Sequence, residues 1–75
     1  MKPGDCYIDN YYEPETIVIQ VTDIKDADGH DCIVVYTSDP QRIPNGSLVS
    51  RTLDDEDLIP VAMITIDDKL MIIKL

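Results

Sequence analysis

The sequence predicts an all-β protein: a small, strongly bent antiparallel barrel of five to six short strands with one short helical turn. Three observations carry this expectation. Residues 16–37 (TIVIQVTDIKDADGHDCIVVYT) hold two runs of β-branched and aromatic residues joined by a polar turn containing Asp28 and Gly29. Such side chains suit a pleated, half-buried surface better than a helix, where their χ1 freedom is lost. Turn signals at Pro3-Gly4, Pro14, Pro40, Pro44, Asn45-Gly46 and Pro60 cut the rest of the chain into short pieces, and no stretch reads as a long helix.

The elements follow in order. Pro3-Gly4 turns the chain into a first strand at 5–9 (DCYID), whose alternation predicts Cys6 and Ile8 facing the core and Asp5, Tyr7 and Asp9 facing away. Residues 10–15 (NYYEPE) read as a loop, with Pro14 barring a central strand. The second strand, 16–24, alternates with Ile17, Ile19 and Val21 on the core side. Ile24 breaks that parity, which predicts a β-bulge or sharp bend near Thr22-Asp23. A turn at 25–31 leads to a third strand, 32–37, apolar on both faces, so that either Cys32, Val34 and Tyr36 or Ile33, Val35 and Thr37 can be core.

Residues 38–46 (SDPQRIPNG) form a loop with a tight exit, and 47–51 (SLVSR) a short fourth strand. In 52–60 (TLDDEDLIP), Thr52 can cap a helical turn whose first residues include Asp54 and Asp55, favourable at its positive end, and Pro60 stops it. Residues 61–66 (VAMITI) and 70–75 (LMIIKL) read as a terminal hairpin joined by Asp67-Asp68-Lys69. The last strand is apolar except at Lys74, so Leu70, Met71, Ile72, Ile73 and Leu75 must pair into the sheet or pack on another molecule.

Length and charge bound the function. Seventy-five residues make a single domain, 1–75, with no room for a second, and with no Phe or Trp the core must be aliphatic. A formal net charge of −9 repels phosphate backbones, which excludes direct nucleic-acid binding and leaves a basic protein, a cation or plain solubility as the use of the acids. With no signal peptide and no apolar run near the length of a membrane helix, the expectation is a cytoplasmic protein without membrane contact. Cys6 and Cys32 then read as reduced, small buried hydrophobes, able to form a disulfide only if the first and third strands approach closely.

This layout of first strand, long loop, strand hairpin, fourth strand, helical turn and closing strand resembles the SH3-like barrels. Pro3, Gly4, Asp5, Tyr7 and Asp9 are similar to the PGDxYxD-like opening of small accessory proteins of tailed bacteriophages, which continue through a V-x-V strand and an SR-x-L segment, here Ser50, Arg51 and Leu53, into a turn. The resemblance covers residues 3 to about 61 and leaves the terminal hairpin outside it. It implies a phage or prophage origin and a binding role, in the host cytoplasm. Peptide-binding SH3 domains present a Trp-containing groove, and this chain has no Trp, so a proline-rich ligand is not expected.

Little in the sequence points to chemistry. Asp26, Asp28 and Gly29 reproduce part of a calcium loop, but its first and twelfth positions would be Ile24 and Val35, so a hairpin turn is the better reading and no metal or other cofactor is expected. His30, the single histidine, reads as an exposed residue of that turn. Ser47, Ser50, Cys6 and Cys32 are candidate nucleophiles without a conventional base beside them, and the chain is not expected to be an enzyme. The expected role is protein binding. Tyr11, Tyr12 and Glu13 on the loop, with Asp54, Asp55, Glu56 and Asp57 on the acidic turn, form the candidate surface for a protein partner such as a basic host protein. Leu70, Met71, Ile72, Ile73 and Leu75 form the candidate edge for a homo-oligomer. Two alternatives share these features: an acidic nucleic-acid mimic that inhibits a host nuclease, polymerase or defence factor, and a structural subunit of a virion or other assembly.

Overall fold

A computed structural model of the chain describes residues 2–26, 29–52 and 57–75, and the side chains of all of these except 24–26. Six antiparallel strands lie in one sheet: β1 (Cys6–Asp9), β2 (Ile17–Asp26), β3 (Gly29–Thr37), β4 (Leu48–Arg51), β5 (Leu58–Ile66) and β6 (Lys69–Lys74). Their order is β4-β3-β2-β1-β5-β6. The expected all-β class and strand number hold, but the barrel does not close. β5 pairs with β1 only at residues 58–61, and its remaining length carries β6 beyond the end of β1, so β4 and β6 are the two edges. The helix found among the described residues is a short 3₁₀ turn, η1 (Asn10–Tyr12), in the segment expected to be loop. The expected helical turn at 52–59 falls largely on residues 53–56, outside the described ones, and Leu58 and Ile59 already belong to β5.

The sheet is bent by local irregularities. The register of β2 against β3 shifts between Val21 and Asp23, where the bulge was expected, and also between Val18 and Ile19 and between Ile24 and Asp26. Each leaves one residue unpaired and increases the local twist. Thr22, the extra residue of the first of these, donates its hydroxyl to Asp31 O at 3.1 Å.

Both faces of the sheet are packed: Val18, expected to face away from the core, and Val61 are buried on one, beside Ile8 and Cys6, and most of the core lies on the other. Ile17, Ile19 and Val21 of β2 are buried there as expected, with Cys32 and Val34 of β3; Tyr36 does not follow them, because the shift that skips Val35 sets it opposite Val18 on the other face, so neither alternative for the third strand holds over its whole length. Tyr12, Ile43, Val49 and Leu58 pack over them. β1 is turned the other way from the expectation: Tyr7 and Asp9 are buried, while Cys6 and Ile8 are half-buried on the opposite face. The pairing dictates this, because Tyr7 lies opposite Ile19 and side chains opposed across an antiparallel pair share a face.

Pro60 does not stop a turn but sits inside β5, opposite Tyr7. Its carbonyl accepts from Leu75 N at 3.1 Å, so the missing N–H points towards the β6 side beyond the end of that strand, and the β1 ladder keeps its donors. The β5–β6 hairpin was expected, and closes through a two-residue turn. Asp67 and Asp68 have φ of 51° and 63°, the pair of positive values that a type I′ turn requires.

Candidate functional site

The site is built around Asp9, the last residue of β1, which has no solvent exposure. Its Oδ1 accepts from Tyr11 N at 3.1 Å, which makes it the N-cap of η1 and satisfies a donor that the short turn leaves open. Its Oδ2 accepts from Arg51 Nε at 2.7 Å. Arg51, on β4, donates again from Nη2 to the Tyr12 hydroxyl at 3.0 Å and from Nη1 to Ser50 O at 2.9 Å. Burial works against the guanidinium charge, but the hydrogen bond and charge of Asp9 more than offset it, and the Arg51 pKa is raised. Its carbon centre lies 5.3 Å from the Tyr11 ring and 5.5 Å from the Tyr12 ring, within cation–π range of both. The two rings meet edge to face, 5.2 Å apart at 89°.

Tyr11 is consequently a fixed residue with an open ring: its backbone is capped, its neighbours are bonded, and 71% of it is exposed. Glu13, also exposed, follows on the same turn, with its N–H bonded to Asn10 O. The segment is then tied back to the sheet. Ser38 Oγ accepts from Thr16 N at 2.8 Å and donates to Glu15 Oε2 at 2.9 Å. A cleft of about 370 Å3 opens between this segment and the 38–46 loop, lined by Tyr11, Tyr12, Glu13, Pro14, Glu15, Arg42 and Ile43.

The structure therefore brings Tyr11, Tyr12 and Glu13 together. Asp57 joins them through its carbonyl, which accepts from Asn10 N at 2.9 Å. Asp54, Asp55 and Glu56 lie outside the described residues. Asp9 and Arg51, which position the two tyrosines, entered the sequence analysis only through the resemblance, Asp9 in the PGDxYxD-like opening and Arg51 in the SR-x-L segment, and not as site residues. Nothing in their local sequence says that the two meet.

The other candidates lie apart. Met71, Ile73 and Leu75 are on one face of β6 and Leu70 and Ile72 on the other. Ile72 is half-buried and the remaining four are exposed. His30, expected at a solvated tip, is buried at 4% exposure because β3 starts at Gly29, earlier than expected, and β4 covers it with Arg51 directly opposite. Its Nδ1 is buried and has no hydrogen-bond partner among the described residues. Cys6 and Cys32 are free thiols on opposite faces. Burial, and then the charge of Asp5, raises the Cys6 pKa; burial raises that of Cys32 despite Arg51 nearby. Among the described residues no cluster of three or more His, Cys, Asp or Glu could hold a metal ion, and no helix is long and apolar enough to cross a membrane.

No protein-family model matches the chain, and no curated protein and no solved structure matches it.

Proposed function

We propose that this chain is a small, non-enzymatic protein-binding module of SH3-like kind, encoded by a phage or prophage, that holds a basic segment of a host protein against Tyr11 and Tyr12. The observation that carries the reading is Tyr11, a mostly exposed ring on a capped turn, braced by Tyr12 and Arg51. A ring held in this way offers contact area with little rotamer entropy left to lose, which is what binding hot spots use.

Charge supports a basic partner. Glu13 and Glu15 line the cleft with the tyrosines and Arg42, and the chain as a whole carries −9. Complementary charge of this kind speeds encounter and weakens with salt. The SH3-like assignment draws support from the succession of β1, the 10–16 segment, the β2–β3 hairpin, β4 and β5, with β5 returning beside β1; β6 is an addition to that layout. The non-enzymatic reading draws support from the thiols, whose raised pKa values lower their thiolate fraction.

The test is capture from a lysate of the host, washed at low and at high salt, with wild-type protein and the Tyr11→Ala and Glu13→Gln variants as bait. A basic protein held at low salt, released at high salt and lost with Tyr11→Ala is the expected result. Equal recovery by Tyr11→Ala sinks the reading.

A further inference from the structure

We propose that one face of the β5–β6 hairpin is a self-association surface, on which a second copy of this chain packs face to face about a two-fold axis. The inference does not depend on the tyrosine surface. Pairing across the hairpin sets Ile64 opposite Met71 and Ala62 opposite Ile73, and the Leu75 N–H bond to Pro60 O continues this series, so these side chains project from the same side of the sheet as Tyr7. On the Tyr7 side the core is covered by Tyr12, Ile43, Val49 and Leu58, but along β5 that side goes from half-buried at Leu58 and Ala62 to exposed at Ile64 and Ile66. Ile64, Ile66, Met71, Ile73 and Leu75 are exposed by 40%, 51%, 47%, 40% and 80%. They account for five of the eight large hydrophobic residues exposed among those described, gathered on one face of one hairpin. Monomeric proteins rarely leave so continuous an apolar patch uncovered.

Charge points to a second copy as the occupant. Residues 58–75 contain two Asp and two Lys and sum to zero, so the entire −9 resides on residues 1–57. Two copies of an acidic chain approach with least repulsion through their neutral part, and the elongated shape, 38 Å in its longest dimension, exceeds the screening length of about 8 Å at physiological salt. The area is also adequate. A standard interface covers about 800 Å2 per partner, roughly a sixth of the 5000 Å2 surface, and residues 58–75 are about a quarter of the chain with the patch on their open face.

The face, and not the β6 edge, makes the contact. Because Leu75 N points at Pro60, the alternation of the strand turns the backbone groups of Leu70, Ile72 and Lys74 outwards. Lys69 and Lys74 bracket that edge, and edge lysines oppose the addition of another strand. Edge pairing would also leave the five apolar side chains in water. A self-complementary patch meets itself across a two-fold axis, and two such hairpins stack about 10 Å apart.

Sedimentation equilibrium on the full chain, over a wide concentration range at low and high salt, tests the proposal. The expected mass is twice 8.5 kDa at both salts, with the dissociation constant raised about 100-fold by Ile64→Lys, a residue absent from the β6 edge. Met71→Lys is the second variant should Ile64→Lys fail to fold by circular dichroism. Ile72→Pro removes an outward N–H, along with a half-buried side chain on the opposite face, and leaves the five residues of the patch in place, so it is expected to keep the dimer. A wild-type monomer throughout overturns the proposal. So does a dimer that survives Ile64→Lys and Met71→Lys but is lost with Ile72→Pro, which would assign the contact to the edge, and so does an open-ended series of larger assemblies.

Discussion

Arg51 donates its Nε–H to Asp9 at 2.7 Å across 42 residues of sequence, joining β4 to β1 although β3 and β2 lie between them in the sheet. The carboxylate is fully buried and the Arg51 side chain is 20% exposed, so removing either partner strands a charge in a poorly solvated place. Asp9→Ala is expected to lower stability by roughly 3 kcal/mol, near the bottom of the range for buried pairs because Arg51 keeps some water. Combining it with Arg51→Met should cost less than the two single losses together. Urea denaturation of the three variants measures this, and strict additivity would show that the two side chains are not coupled.

The tyrosines divide their work. Tyr12→Phe removes the acceptor of the Arg51 Nη2 bond and is expected to cost about 1–2 kcal/mol. Tyr11→Ala, at a mostly exposed position, should change stability by no more than about 0.5 kcal/mol while weakening partner binding at least tenfold. Thermal melts beside a binding titration separate the two effects; a large loss of stability in Tyr11→Ala would make that ring a structural brace instead of a contact.

Two aspartates occupy positions where glycine or asparagine carries less strain. With φ of 63° at Asp68, Asp68→Gly should stabilise the hairpin by about 0.5–1 kcal/mol. Amide exchange of Ile64 and Ile66 should slow with it. Faster exchange would mean that the carboxylate makes a contact the backbone conformation does not reveal.

Alkaline pH should loosen the protein by ionising groups that the fold keeps neutral. Burial raises the Cys6 and Cys32 pKa values above the ordinary 9.0, so the folded state favours the neutral thiols. Their contribution is complete below pH 9 and is lost as pH rises through 9 towards the folded values. Tyr7, raised by burial and then by Asp5 from 10.0, extends the same slope upward. The melting temperature is expected to fall from about pH 9, with a shallower fall in Cys32→Ala; identical slopes would remove Cys32 from the cause.

What the sequence made legible was the part that depends on neighbours along the chain. Ile17, Ile19 and Val21 are buried together as their alternation implied, although Val18 on the other face is buried as well, and the parity break at Ile24 announced the bulge around Thr22. The terminal hairpin was equally plain. The face of β1 was misread because alternation ranks Cys6 and Ile8 above Tyr7 and Asp9, and nothing local says that an arginine 42 residues away stabilises a buried carboxylate. His30 was misplaced for a related reason: the strands run further towards the tip than the polar residues suggest, and β4 arrives from elsewhere to cover it. The candidate surface was half visible. Tyr11, Tyr12 and Glu13 stood out by type, whereas the groups that hold them in place are recognised only by contact.

The strand order also bears on how the chain reaches this state. β1 has four residues, yet it lies between β2 and β5 and is the seam joining the β4-β3-β2 meander to the β5–β6 hairpin. Each of those parts is built from neighbours in sequence and can form early, whereas pairing Cys6 with Val61 must close a loop across most of the chain. The seam is therefore expected to form last on folding and to open first on unfolding. Substitutions at Ile8 or Ile59 should speed unfolding and leave the refolding rate nearly unchanged, and a stopped-flow comparison in which they slow refolding instead would place the seam in the nucleus.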